Sequence, residues 1–131
     1  MSCEIEVTLE PAGPVAAGTE VRVLVKAIST EPARCRYVRC AAGWTTSGRG
    51  DPDSDHPFTK RVPGEEMQPA VPLEREFRFT VPESGPVTYR GLRFSRGSLI
   101  NIDWSIRVQL DGSWPTDPEQ TVPLVVQPRS I

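Results

Sequence analysis

Strict alternation of apolar and polar residues runs from Ile100 to Leu110 and constrains the fold more than any other feature of this sequence. Successive side chains of a β-strand point to opposite faces, so this period of two predicts a strand with one buried side. The same pattern recurs in Glu4–Leu9, Glu20–Ile28 and Leu73–Val81. Nowhere do apolar residues recur at helical spacing between capping residues. The sequence therefore predicts an all-β protein.

Weaker patterns indicate further strands. Arg34–Trp44 carries two apolar sets of opposite parity, which a β-bulge near Tyr37 and Val38 would place on one core face. Val87–Phe94 and Thr121–Gln127 also have strand character. One sheet of seven or eight half-buried antiparallel strands would expose its apolar face, so we expect an immunoglobulin-like β-sandwich.

The alternation stops after Trp44, and residues 45–72 are predicted to form a long irregular loop rich in Gly, Pro and Asp. Such a connection inside a compact domain is functional, mobile, or contains an element that was missed. The short run Phe58–Val62 is the candidate for a missed element, as an edge strand.

Composition limits the class of protein. The 131 residues suit a single domain over 1–131, and 14 prolines placed between apolar runs favour strands and turns. A net charge of −2 without a clustered basic segment gives no reason to expect nucleic acid. No window approaches the roughly 18 apolar residues of a membrane span. The first residues lack the basic and apolar regions of a secretory signal.

Three cysteines, an odd number, predict reduced thiols and a cytoplasmic location. Cys35 and Cys40 lie five residues apart on one predicted strand and are expected to point to opposite faces. That geometry argues against a disulfide between them.

Two motifs suggest chemistry without completing it. Asp51, Asp53 and Asp55 alternate like the start of a calcium loop, but His56 stands where glycine is needed and Val62 where the bidentate glutamate belongs. A solvated acidic loop is the interpretation that this favours. His56, the sole histidine, has no patterned nucleophile near it, and the cysteines lack the paired spacing of a zinc knuckle. We therefore expect no cofactor and no metal.

The order of features along the chain resembles a known family. A Phe-rich strand, Phe77–Pro82, ends at a proline, and a turn with proline and a hydroxyl residue follows in Gly85–Gly91. The segment Ile102–Asp111 is then an alternating strand that includes an aromatic residue and ends in Leu-Asp. The first half of the same pattern is matched by Gly18–Val23 and Arg39–Trp44. This order resembles the arrestin-like superfamily.

The resemblance implies an immunoglobulin-like sandwich that acts as a scaffold or adaptor, binds a partner protein and has no chemistry of its own. Family members, including the bacterial sporulation-control arrestin-like proteins, generally contain two such sandwiches in tandem. This chain has the length of one, so it is similar to one half of such a protein.

Seven residues are candidates for binding a partner protein, because Trp and Arg dominate interface hot spots and loops on rigid scaffolds carry recognition. They are Trp44, Arg49, Asp51, Asp53, Asp55, His56 and Trp114. Packing beneath a loop is the alternative for both tryptophans. Two other functions stay open: a subunit of a homo-oligomer or larger assembly, and a small enzyme that uses loop carboxylates such as Glu65 and Glu66.

Overall fold

The computed structural model of the chain describes residues 2–48, 54–83, 86–93 and 99–128. Within these ranges every regular element is a β-strand, which confirms the all-β prediction, and eight strands are five residues or longer. No helix in the described part has the length and apolar character that crossing a bilayer requires. The strands are β1 (Cys3–Glu10), β2 (Val15–Ala16), β3 (Glu20–Ser29), β4 (Ala33–Gly48), β5 (Ser54–Pro63), β6 (Glu66–Met67), β7 (Leu73–Thr80), β8 (Tyr89–Arg93), β9 (Leu99–Gly112), β10 (Glu119–Leu124) and β11 (Val126–Gln127).

Two antiparallel sheets form the layers of the sandwich. The smaller sheet has the order β1-β3-β7, and the larger has the order β10-β9-β4-β5, with β8 beside β9 and β6 beside β4. The short strands β2 and β11 form a parallel pair. The longest ladder joins β4 to β9, from Cys35 opposite Gly112 to Gly48 opposite Ile100. The expected sandwich is therefore confirmed, with β9 in its interior.

The core lies between the sheets, where the inward rows of the alternating strands meet. On β3 the inward row is completely buried, as the sequence predicts. On β9 the inward row from Trp104 onward is buried in the same way. These two rows consist of Val21, Val23, Val25 and Ala27 on β3 and Trp104, Ile106, Val108 and Leu110 on β9.

Aromatic rings connect the two layers at one end. The ring centroids of Phe58 and Phe79 lie 5.3 Å apart, and those of Phe79 and Trp104 lie 6.3 Å apart. The indole Nε1 of Trp104 donates a hydrogen bond to the carbonyl of Pro86 at 2.7 Å. The polar tip of this buried tryptophan is thereby satisfied, as burial of an indole requires.

Arg75 is the polar residue in the inward row of β7, and it joins the two sheets along one side. Its Nε donates to the carbonyl of Pro63 on β5 at 3.0 Å. Its Nη1 donates to the carbonyl of Glu74 at 2.7 Å. The guanidinium thus keeps its charge at the surface while it holds the β5 and β7 edges together.

The prediction of an irregular loop over 45–72 is wrong. β4 continues past Trp44 to Gly48, and Ser54–Pro63 and Glu66–Met67 are strands. The edge strand predicted at Phe58–Val62 is confirmed as part of β5. Alternation fails here because β5 is exposed on both sides, with only Phe58 and Val62 partly buried.

A register shift between Cys35 and Tyr37 on β4 confirms the predicted bulge. The shift places Cys35 on the same side as Val38 and Cys40, so both cysteines are buried and the expectation of opposite faces is wrong. All three cysteines are free thiols. Burial raises the pKa of Cys35 to about 11 and the pKa of Cys40 to about 12.

We expect iodoacetamide at pH 8 to modify the half-buried Cys3 of the native protein well before Cys35 or Cys40, because the thiolate is the nucleophile and burial suppresses it. Mass spectrometry after timed quenching measures the three rates. In denaturant all three should react alike. Native labelling of Cys40 at the rate of Cys3 would contradict its burial.

Candidate partner-binding surfaces

Three of the predicted site residues lie together. Trp44 pairs with Asp55 across the β4–β5 ladder, and His56 follows Asp55 along β5. Trp44 is half-buried, whereas Asp55 and His56 are exposed. Arg49, Asp51 and Asp53 lie outside the described residues, so this cluster consists of Trp44, Asp55 and His56.

Trp114 lies at the opposite end of β4 and is buried, with 7% of its surface exposed. A Cβ added to Gly112 would stand 2.8 Å from its Cζ3, so the indole packs directly on the glycine. Next to it, the amide of Ser113 donates to the carbonyl of Arg34 at 3.0 Å. This burial agrees with packing beneath the β9–β10 connection, the alternative to an exposed anchor.

Gly43 allows β5 to approach β4 beside Trp44. Ala42 pairs with Phe58 and Trp44 pairs with Asp55, so two residues of β5 stand opposite Gly43 in a bulge. A Cβ on Gly43 would overlap the carbonyl oxygen of Asp55 and stand 2.7 Å from Cδ2 of His56. The histidine ring therefore lies over the glycine, a contact that sequence reasoning missed.

A shallow depression of about 220 Å³ continues from this histidine over the outer face of the larger sheet. Ala41 forms its floor, and Arg39 and Arg107 stand at its rim. Arg39 pairs with Asp111 at 3.2 Å, and Arg107 pairs with Glu119 at 3.1 Å. The described residues contain no group of three side chains that could ligate a metal. This surface offers hydrogen-bond donors to acidic groups.

The second surface is the free edge of β1. The amide of Thr30 donates to the carbonyl of Ser2 at 2.9 Å, which fixes this pair as a hydrogen-bonded one. Such pairs alternate along an antiparallel ladder, so the even-numbered residues of β1 bond to β3. The main-chain groups of Cys3, Ile5, Val7 and Leu9 consequently point away from the sheet. In the described part of the chain no strand pairs with them.

Three other edge strands, β5, β10 and β7, carry a proline or an occupied main-chain carbonyl that obstructs strand addition, and β1 has neither. Pro57 and Pro63 interrupt β5, and Pro123 interrupts β10. On β7, Arg75 occupies the carbonyl of Glu74. Between its first and last residues β1 has neither a proline nor an inward-facing charge. Of these four edge strands, β1 is the best template for another strand.

We expect Gly43→Ala to lower the free energy of unfolding by about 1–3 kcal/mol, because its Cβ forces β5 and His56 away from β4. Urea denaturation measures the loss, and NMR of the His56 ring protons reports its displacement. Ala41→Ser, which adds one atom in the open depression, serves as the control and should change stability by less than about 0.5 kcal/mol. Equal effects of the two substitutions would contradict the tight contact at Gly43.

No family model and no curated protein sequence matches this chain. Among solved structures, the sandwich is similar to the crystal structure of Spo0M, a sporulation control protein from Bacillus subtilis, with a TM-score of 0.78 over 98% of this chain. The sequences are 18% identical, and the match covers 51% of that protein, so this chain spans about half its length. At this identity the likeness concerns the fold alone. The chain has the arrestin-like β-sandwich fold that its sequence predicts.

Proposed function

We propose that this chain is a non-enzymatic adaptor module that binds a partner protein by adding an extended segment of the partner to β1. The open β1 edge is the observation that carries the proposal. An added strand gains main-chain hydrogen bonds to Cys3, Ile5, Val7 and Leu9, and its alternate side chains supply specificity. The name of the matched structure, a sporulation control protein, supports a regulatory role of this kind.

The charges beside this edge favour a strand from another protein over a second β1. Glu4, Glu6 and Glu10 project from the outer side of β1. Two copies of β1 side by side would align these glutamates, and like charges at opposing positions destabilise a strand pair. A segment with Lys or Arg at every second position matches the row instead. The partner strand is therefore basic on one side.

The cluster of Trp44, Asp55 and His56 is the second proposed contact. A half-exposed tryptophan next to charged residues has the character of an interface anchor. Arg49, Asp51 and Asp53 belong to the same β4–β5 connection and are proposed to contribute to it. The module acts in the cytoplasm, which agrees with its three free thiols.

Val7→Pro tests the proposed edge. Because the amide of Val7 points away from β3, proline removes a donor from the free edge and leaves the β1–β3 hydrogen bonds in place. Immobilised wild-type protein should retain a partner from an extract of the native cells, and Val7→Pro should lose it. Val7→Ala, which also removes side-chain packing, should retain it. Mass spectrometry identifies and quantifies the captured protein.

Amide hydrogen exchange, measured with and without the purified partner, tests whether the partner binds at β1. The amides of Ile5, Val7 and Leu9 should exchange fast in the free protein and slow down on binding, whereas those of Glu6 and Thr8 are protected in both states. A partner that binds Val7→Pro as well as Val7→Ala, or that leaves these exchange rates unchanged, would show that binding occurs elsewhere. Thermal unfolding confirms that each variant is folded.

A further inference from the structure

The outer face of the smaller sheet is acidic. It consists of the even-numbered positions of β1, β3 and β7, which point away from the core. Six glutamates lie on it against three cations, a net charge of −3. The glutamates are Glu4, Glu6, Glu10, Glu20, Glu74 and Glu76, and the cations are Arg22, Lys26 and Arg78. We refer to these nine residues as the acidic face.

Ion pairs neutralise only one end of the acidic face. Arg22 pairs with Glu10 at 2.7 Å and also with Glu76, whose pKa its hydrogen bond lowers. At the other end Glu6 and Glu74 flank Lys26 in the register of the strands. No ion pair within 4.0 Å joins these three residues to any part of the chain that the structure describes. Carboxylates are therefore available at this end.

A depression of about 450 Å³ lies at this end of the acidic face. Three carboxylates (Glu6, Glu74, Glu76) and two cations (Lys26, Arg75) line it, and the half-buried Leu24 contributes an apolar surface. Arginine combines an aliphatic stem with a guanidinium that carboxylates bind through paired hydrogen bonds. With three carboxylates against two cations, the depression is acidic overall and can receive an arginine side chain.

The outer face of the larger sheet carries an arginine patch, which we define as Arg36, Arg39, Arg61 and Arg107. Two carboxylates, Asp111 and Glu119, pair with members of the patch, so its net charge is +2. Another carboxylate of this face, Asp103, lies further along β9, opposite Thr45. The arginine patch and the acidic face are on opposite sides of the sandwich.

Within the arginine patch, Arg39 and Arg61 stand directly opposite each other across β4 and β5. Like charges in this position destabilise a strand pair. The guanidinium of Arg61 stacks on the ring of Tyr37 at 4.4 Å, and no carboxylate in the described part of the chain lies within 4.0 Å of it. Arg39 has Asp111 as its counterion, so Arg61 is the member of this pair that lacks a carboxylate partner in the described sandwich, a group that a second molecule can supply.

We propose that a second copy of this chain supplies that group by docking its acidic face on the arginine patch of the first. The complementary charges lie on opposite sides of one molecule, so the contact is heterologous and leaves each end of a stack able to bind a further copy. The contacting charges are exposed to solvent, so salt weakens the association. This self-association uses sheet faces rather than the main-chain groups of the β1 edge, and it shares Glu4, Glu6 and Glu10 with the row proposed to face a partner strand.

Two double variants test the contact by sedimentation equilibrium. Glu6→Lys with Glu74→Lys reverses the acidic face, and Arg39→Glu with Arg61→Glu reverses the arginine patch. The average mass of the wild-type protein should rise above 14.5 kDa with concentration. We expect this at about 20 mM salt and not at about 500 mM, where charges are screened within a few ångströms. Each double variant alone should stay at the monomer mass.

An equimolar mixture of the two double variants should associate again, because the arginine patch of one then meets the unchanged acidic face of the other. Glu31→Lys adds positive charge between β3 and β4, outside both faces, and should associate like the wild type. A wild-type protein that stays monomeric at low salt up to about 1 mM would overturn the proposal, as would association that both double variants retain or a mixture that stays monomeric. Circular dichroism verifies the fold of each variant.

Discussion

The register between β4 and β9 is the constraint on which the rest of the sandwich depends. It sets Val38, Cys40 and Ala42 side by side with the inward row of β9, and both rows are buried against the smaller sheet. A slip of β9 by one residue against β4 would turn the inward row of β9 toward solvent, so burial fixes the register. The same register places Arg39 and Arg107 on the outer face of the larger sheet.

The sequence predicts the half-buried strands well, because a strand with one solvent-exposed face and one buried face alternates polar and apolar residues. It fails where that contrast is missing. The end of β4 beyond Trp44 is built from Thr, Ser and Gly, and β5 is an edge strand that solvent reaches on both sides. These segments are held by main-chain hydrogen bonds to a neighbouring strand. Such bonds do not require alternating polar and apolar side chains, so the sequence shows no periodic pattern there.

The candidate surfaces were predictable only in part. Trp44, Asp55 and His56 could be named from residue type, but their proximity depends on the bulge opposite Gly43, which no local pattern encodes. Likewise, parity indicates that Glu4, Glu6 and Glu74 face outward, but it does not say that β1 and β7 flank the same strand. Strand order is a long-range property, and the opposite charges of the two sheet faces follow from it.

Arg75 gives the two long sides of the sandwich unequal strength. On its side, the Arg75 guanidinium and the contact between the tilted rings of Phe58 and Phe79 join β7 to β5. On the other side, no side-chain hydrogen bond or ion pair joins β1 to β10 in the described ranges, and apolar packing alone closes the seam. We therefore expect the sheets to separate first between β1 and β10 on heating, while β7 and β5 stay in contact. The edge proposed to bind a partner strand therefore lies on the more weakly joined side of the described sandwich.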